Sequence, residues 1–399
     1  MLDFTKLEKC RVCGSKELLS VLDLNEQPLA NSYHKGEEQK NFPLKINTCQ
    51  KCFHTQLSVV VNPDLMFKDY LYVSGTSKTL HKYFEDFVGF CEKYTKLKGN
   101  VLDIACNDGT QLDKFKDKGW QTFGVDPAEN LYQLSKDNHN VECDYWSGST
   151  ALKFGVKFDL ITAQNVFAHV NDVHGFLQSC SLCLNPNGVL VIQTSQADMI
   201  LDNQFDTVYH EHLSFFSSSS MKKCANINGF SLVDIQKTDV HGGSYVFVLR
   251  YGVHNESLAQ DQIDNERDRG LYDLGTYEEY AKNCLNVVND FRNAVESFRE
   301  NGYKIIGYGA AAKGNTFLNF ASINLDYIVD DNELKWDLYT PGRNIKIKNP
   351  QQLKEENSDK IVVVPLAWNF FKEISNRANE ITGTKLKFIK YFPKLEVIS

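Results

Sequence analysis

Two stretches of this chain, residues 99–250 and 302–399, alternate short apolar runs with segments of helical periodicity, and that alternation restricts the fold more than any other feature. Short strands that are apolar on both faces need cover on both, and helices placed between them supply it. A parallel sheet sheathed by helices follows. The strands expected in the first stretch are VLDIAC, QTFGVD, DLITAQNV and VLVIQT, then a hairpin-like pair, FSLVDIQKT and SYVFVLRYG. The second stretch offers YKIIGYGAA, DYIVDDN and IVVVPL, enough for a smaller Rossmann-like α/β domain. Residues 255–301 are highly charged, almost lack strand pattern and read as a helical connector. The expected organisation is 1–75, 76–255, 256–301 and 302–399.

The N-terminal part follows a different rule. Cys10-x-x-Cys13 and Cys49-x-x-Cys52 are two pairs separated by residues 14–48. A CxxC turn aims two thiolates at one centre, and a second turn completes a tetrahedral site for Zn²⁺. Four thiolates leave no open position, so the metal is expected to be structural, stapling a lobe of short strands too small to hold much core. A redox pair and chance core cysteines are the competing readings. His54 is a weaker ligand candidate, with an exposed or hydrogen-bonded side chain the simpler expectation. The chain has 11 cysteines. The odd number, with no export signal at MLDFTKLEKC, argues for a reducing, cytoplasmic setting.

Composition narrows the function. A net charge of -8 disfavours a general nucleic-acid binder. With a mean hydropathy of -0.37, no apolar run reaches the length of a membrane span. Small-molecule chemistry is the default, and a monomer is expected because no heptad or interface stripe appears.

VLDIACNDGTQLDKF reads as strand, tight loop and helix start. Asp103 ends the strand, Asp108-Gly109-Thr110 makes the turn, and Asp126, with Pro127 behind it, ends the next strand. An acidic group there suits ribose hydroxyls. The loop is no dinucleotide fingerprint, and Asp103 would repel phosphates while favouring a cationic ligand. S-adenosylmethionine, with a positive aminoacyl group and sulfonium, fits that description. The loop resembles the class I methyltransferase pattern D-x-G-x-G-x-G, with Ala105 and Asn107 in place of the first two glycines. Gln164 and Asn165 end a later strand at the same crevice, and His169 follows them as a pocket or structural residue.

FDTVYHEHLSFFS places Tyr209, His210, Glu211 and His212 in a row ahead of Leu213, Phe215 and Phe216. Titratable groups against apolar walls suit acid–base chemistry and stabilisation of an oxyanion. If the stretch is turned, Tyr209 and His212 meet; if it is extended, Tyr209 shares a face with Glu211. A metal site and a structural histidine network are the alternatives. In the C-terminal stretch, Gly307-x-Gly309-x-x-x-Lys313 closes a strand and opens a helix, as a diphosphate loop does. A dinucleotide site or a plain structural turn competes with that reading.

Taken together, C-R-V-C-G, Q-P-L-A-N-S-Y, C-x-x-C-x-H-T-Q-L, Y-L-Y-V-S-G-T-S, D-I-A-C-N-D-G-T, Q-N-V-F-A-H-V, Y-H-E-H-L-S-F-F, G-G-S-Y and G-Y-G-A-A-A-K-G-N-T resemble the zinc-containing sugar C-methyltransferases. That family acts on nucleotide-linked keto-deoxysugars, and the likeness runs over essentially the whole chain. It implies His212 as base, Tyr209 as its partner or oxyanion donor, Glu211 orienting one of them, and Tyr72 near the reacting carbon. It implies that the C-terminal domain holds the nucleotide diphosphate, with Gly309, Lys313, Asn315 and Thr316 in contact. Asn31, Tyr33, Gly243 and Tyr245 are expected to complete the cleft, and Asp330 and Asp331 are candidates for ribose or base. Cys106 in the cofactor loop is a mild departure that concerns packing. The rivals are an O- or N-methyltransferase on another acceptor, a non-catalytic zinc-containing scaffold, and a dehydrogenase using the C-terminal loop.

Overall fold

The computed structural model describes residues 3–67, 73–76, 78–96, 98–195 and 198–398. Tyr72 lies outside the described residues. Helix α1 (Lys78–Cys91) leads into a seven-stranded sheet. Its strands are β1 (Asn100–Ile104), β2 (Gln121–Val125), β3 (Asn140–Glu142), β4 (Phe158–Gln164), β5 (Leu184–Ser195), β6 (Phe230–Thr238) and β7 (Ser244–Tyr251). Helices α2 (Thr110–Asp117) and α3 (Val173–Cys183) are among the crossovers. The order is β3-β2-β1-β4-β5-β7-β6, parallel from β3 to β5, with β7 antiparallel to both neighbours. Two-residue periodicity splits the strands between two cores. Val101, Leu160, Val191 and Val248 pack under α1 and α2, while Leu102, Ile161, Ile192 and Leu249 pack under α3. The doubly wound sheet is therefore as expected. β3, only three residues long, has no period to betray it in sequence.

The N-terminal lobe has longer strands than expected. Leu18–Pro28 and Asn41–Cys49 pair antiparallel with two irregularities in register, and Thr55–Leu57 extends the sheet. Its fourth strand, Ser214–Phe215, comes from the stretch after the histidines. The long helix α4 (Leu274–Glu300) buries Tyr277, Tyr280, Phe291 and Val295 in a core shared with Leu22, Leu44 and Ile46 of this lobe. The segment expected to be a helical connector holds helices Ser257–Asp268 and α4, and α4 also contributes to this core. The C-terminal domain starts with β8 (Lys304–Tyr308) and α5 (Ala312–Ala321). It continues with β9 (Tyr327–Val329), β10 (Ile347–Lys348), β11 (Ile361–Pro365), β12 (Lys387–Lys390) and β13 (Glu396–Ile398). The order is β10-β9-β8-β11-β12-β13, parallel except at β13. Among the described residues, no helix is long and apolar enough to cross a membrane.

Candidate active site

The four N-terminal cysteines converge. Cys10 Sγ lies 3.6 Å from Cys52 Sγ, Cys13 Sγ lies 3.5 Å from Cys49 Sγ, and all four sulfurs fall within 4.8 Å of one another. Zn–S bonds of about 2.3 Å at tetrahedral angles place sulfurs about 3.8 Å apart, so the set fits Zn²⁺. His54 is not one of the group. Contrary to expectation it is neither exposed nor hydrogen-bonded: the ring is buried against Phe216, and neither nitrogen has a partner among the described residues. Burial drives its pKa down to about 3, which keeps it neutral. Of the other cysteines, only Cys143 is exposed.

The cofactor loop keeps a glycine-type backbone without the glycines. Ala105 has φ +60°, Asn107 +52° and Gly109 +83°, so all three glycine positions of the resembled pattern hold left-handed conformations. Asp103 is buried and accepts from Thr162 Oγ1 at 2.7 Å. Burial, helped by Asp126, raises its carboxyl to about 7. Asp126 takes the N–H of Asn107 and of Ala128, both at 2.9 Å, which ties the loop to the end of β2. Asn107 and Asp108 turn their side-chain oxygens to the N–H groups of Ser74 (3.0 Å) and Gly75 (2.9 Å), so a short turn before α1 caps the loop. Pro127 sits half-buried beside Asp126.

At the end of β4, Gln164 donates to Gln111 at 2.8 Å, and Asn165, at φ +54°, donates its N–H to the Gln193 carbonyl at 2.9 Å. Gln164 Oε1 and Asn165 Oδ1 are buried with no partner among the described residues. Two carboxyls and two unspent carbonyl oxygens want donors and positive charge, which S-adenosylmethionine carries and a diphosphate does not.

The Tyr209–His212 stretch is turned. The His212 N–H bonds the Tyr209 carbonyl at 2.9 Å, which brings the two rings to 4.1 Å between centroids. Tyr209 Oη lies 3.0 Å from His212 Nε2, and His212 Nδ1 lies 2.7 Å from the Thr207 carbonyl. A carbonyl only accepts, so in the neutral ring Nδ1 carries the proton. Nε2 then presents its lone pair to the Tyr209 hydroxyl. His169 comes within 5.1 Å of His212, ring to ring, and bridges from the end of β4 to this pair. Burial lowers the His169 pKa to about 4.

One expectation needs correcting here. Glu211 does not hold Tyr209 or His212: its Oε1 accepts from Asn31 Nδ2 at 2.6 Å, linking the stretch to the N-terminal lobe. Burial pushes its carboxyl up to about 7. His210 faces away, buried edge-on to Phe42.

The C-terminal loop lies on the other side of Asn31. Tyr33 donates to the Ala310 carbonyl at 2.6 Å, and Asn315 Nδ2 donates to the Ala30 carbonyl at 2.8 Å. Residues 30–33 thus touch both the catalytic stretch and the loop. Gly309 turns at φ +86°, and α5 starts at Ala312 without a side-chain cap. Lys313 Nζ sits 5.4 Å over the Trp368 ring. Thr316 Oγ1 and Asn315 Oδ1 are buried without partners among the described residues. Asp330 is occupied, accepting the N–H of Ala310 at 2.6 Å and of Asn332 at 2.8 Å, so its carboxyl fixes the loop. Asp331 accepts from Tyr308 Oη at 3.0 Å. Tyr245 does not reach the cleft: it is buried, its hydroxyl on Asp198 at 2.9 Å. The turn at Gly242, with Gly243 at φ +109°, does reach it, beside Lys313 and Trp368. Sequence reasoning missed Thr207, Asp206, Trp368 and Lys335, whose Nζ donates to the Ala310 carbonyl at 2.7 Å. Asp206 and Thr207 stood in plain view within FDTVYHEH, but nothing in that run marks a carbonyl or a distant indole as its partner.

Family models match successive parts of the chain: a zinc binding domain over residues 10–67, a methyltransferase domain over 77–235, and a C-methyltransferase C-terminal domain over 239–393. The chain is 29% identical over 411 residues to the C-methyltransferase NovU of Streptomyces niveus, covering 98% of this chain and 97% of that protein. It is 25% identical over 211 residues to the ubiquinone biosynthesis O-methyltransferase of Coxiella burnetii (strain Dugway 5J108-111), covering 48% of this chain and 89% of that one. A solved S-adenosylmethionine-dependent methyltransferase from Clostridium acetobutylicum ATCC 824 overlays with a TM-score of 0.36 at 15% identity, covering 43% of this chain and 92% of that one.

Proposed function

We propose that this chain, matched in succession by zinc-binding, methyltransferase and C-methyltransferase C-terminal family models and 29% identical to a C-methyltransferase over 98% of its length, methylates a nucleotide-linked 4-keto-6-deoxysugar at C3, with S-adenosylmethionine as donor. The observation that carries the reading is the Tyr209–His212 pair. Its His212 ring meets His169 after β4, and the neighbouring Glu211 bonds Asn31, next to residues that contact the C-terminal loop.

Forming a bond to carbon needs a carbon nucleophile, and a carbon beside a ketone becomes one when a base removes its proton. S-adenosylmethionine, when bound, supplies an electrophilic methyl group on its sulfonium. Asp103, Asp126, Gln164 Oε1 and Asn165 Oδ1 accept from its ammonium and hydroxyl groups. Because His212 Nε2 already faces the phenol, the carbon's proton reaches it through Tyr209: the phenol proton moves to Nε2 as the carbon proton arrives at Oη. The Thr207 carbonyl holds Nδ1–H and favours the imidazolium that forms. On the far side, the N-terminus of α5 and Lys313 hold the diphosphate, while Tyr33 and Asn315 set the distance back to the pair. His169, whose ring lies 5.1 Å from that of His212, would help keep water from the base.

The test is hydrogen exchange with deuterated solvent at the sugar carbon without S-adenosylmethionine, followed by methylation of a panel of nucleotide-linked 4-keto-sugars. Wild type exchanges and then gains one methyl on that carbon. If His212→Ala and Tyr209→Phe both leave exchange and methylation intact, the assignment is wrong. A methyl found on oxygen makes the enzyme an O-methyltransferase.

A further inference from the structure

Asp206 lies in the catalytic stretch but faces another domain. It is fully buried, and its Oδ2 accepts from Trp368 Nε1 at 2.7 Å. Its Oδ1 has no partner among the described residues. Trp368 follows β11 in the C-terminal domain, and Lys313 lies over its ring face. The central domain closes this cluster from a second side. A side chain at Gly242, which sits at φ +85°, would start 3.2 Å from Trp368 and 3.5 Å from Lys313 Nζ. Burial lowers the Lys313 pKa, and the Asp206 charge works against that. The next residue along is Thr207, whose carbonyl fixes His212.

A carboxyl buried on one side-chain bond is expensive, and an apolar residue would fill this interface at less cost. It makes sense where a cation has to be kept charged and in place. We propose that Asp206 is a positioning residue for the diphosphate of the substrate: it anchors Trp368, the pair holds Lys313 where the anion arrives, and the same strand of chain sets the His212 carbonyl partner. The inference rests on Lys313 as the diphosphate cation.

Calorimetry separates the two claims. Nucleoside diphosphates (thymidine, uridine, guanosine and cytidine) are titrated against their nucleosides, using wild type, Lys313→Met, Asp206→Asn, Trp368→Phe and the Asp206→Asn/Lys313→Met double variant. Lys313→Met and Asp206→Asn each weaken diphosphate binding by about tenfold and spare the nucleoside, and the double variant is no weaker than Lys313→Met alone. Trp368→Phe keeps the ring under Lys313 but loses the N–H, and weakens the diphosphate in the same direction. It also carries the test if Asp206→Asn does not fold. If Lys313→Met binds like wild type, or wild type binds no diphosphate, the Lys313 reading falls and the inference with it. If only Lys313→Met weakens binding, the inference alone falls. It falls equally if the two losses add, or if Asp206→Asn weakens nucleoside and diphosphate alike.

Discussion

His212 holds its role through two atoms: Nδ1 on a carbonyl and Nε2 on a phenol. His212→Asn keeps a group near Thr207 and removes the proposed base, and Tyr209→Phe removes the proposed relay. Each is expected to lower kcat by roughly 10²–10⁴-fold, the usual worth of positioned proton transfer, with S-adenosylmethionine affinity unchanged. Single-turnover rates beside cofactor titrations check this. Glu211 makes a different prediction. Its folded pKa, about 7, lies above the unfolded value. Between pH 4.5 and 7 the unfolded chain therefore loses a proton that the folded chain keeps, and stability falls as pH rises through that window. Glu211→Gln removes this slope, worth up to about 3 kcal/mol, so the difference in thermal midpoint between pH 5 and pH 8 shrinks in the variant. An unchanged difference refutes the buried, protonated carboxyl.

At the scale of elements, the cofactor loop shows how packing rewrites a motif. A side chain on Gly124 in β2 would start 2.6 Å from Cys106 Sγ, so the residue that looked like a departure in the loop is matched by a glycine on the next strand. Gly124→Ala is expected to cost about 2 kcal/mol in chemical denaturation, and Cys106→Ala in the same chain to restore most of it. The long strands and helices were legible because period and length agree in β1, β4, α1 and α4. The turn joining Tyr209 to His212 was legible as one of two geometries. The two-residue strands were not, since Ile347–Lys348 and Ser214–Phe215 are too short to show alternation. Nor was the left-handed backbone at Ala105 and Asn107, because a search for glycines looks for residue type and the fold conserves conformation. Asn31 with Glu211, and Tyr33 with Ala310, join residues 180 and 277 positions apart that no local pattern connects.

Across the whole molecule, the zinc lobe shares its packing: among the described residues, its apolar side chains in the large core clusters sit with those of other domains. Cys10, Val12, Cys49 and Cys52 pack into the cofactor domain's core, while Leu22, Leu44 and Ile46 pack with α4 and the C-terminal domain. Withdrawing the metal with a chelator is expected to release one zinc per chain, lower the thermal midpoint of the whole protein in one transition, and abolish activity. Metal analysis with scanning calorimetry checks it, and a separate low-temperature transition for the lobe would contradict a shared core. Residues 30–33 bear on exchange between relatives. A chimaera cut only at residue 302, meant to bring in another nucleotide preference, would separate Tyr33 from the loop it was shaped against. The transferable unit is discontinuous: the C-terminal domain together with four residues from near the start of the chain.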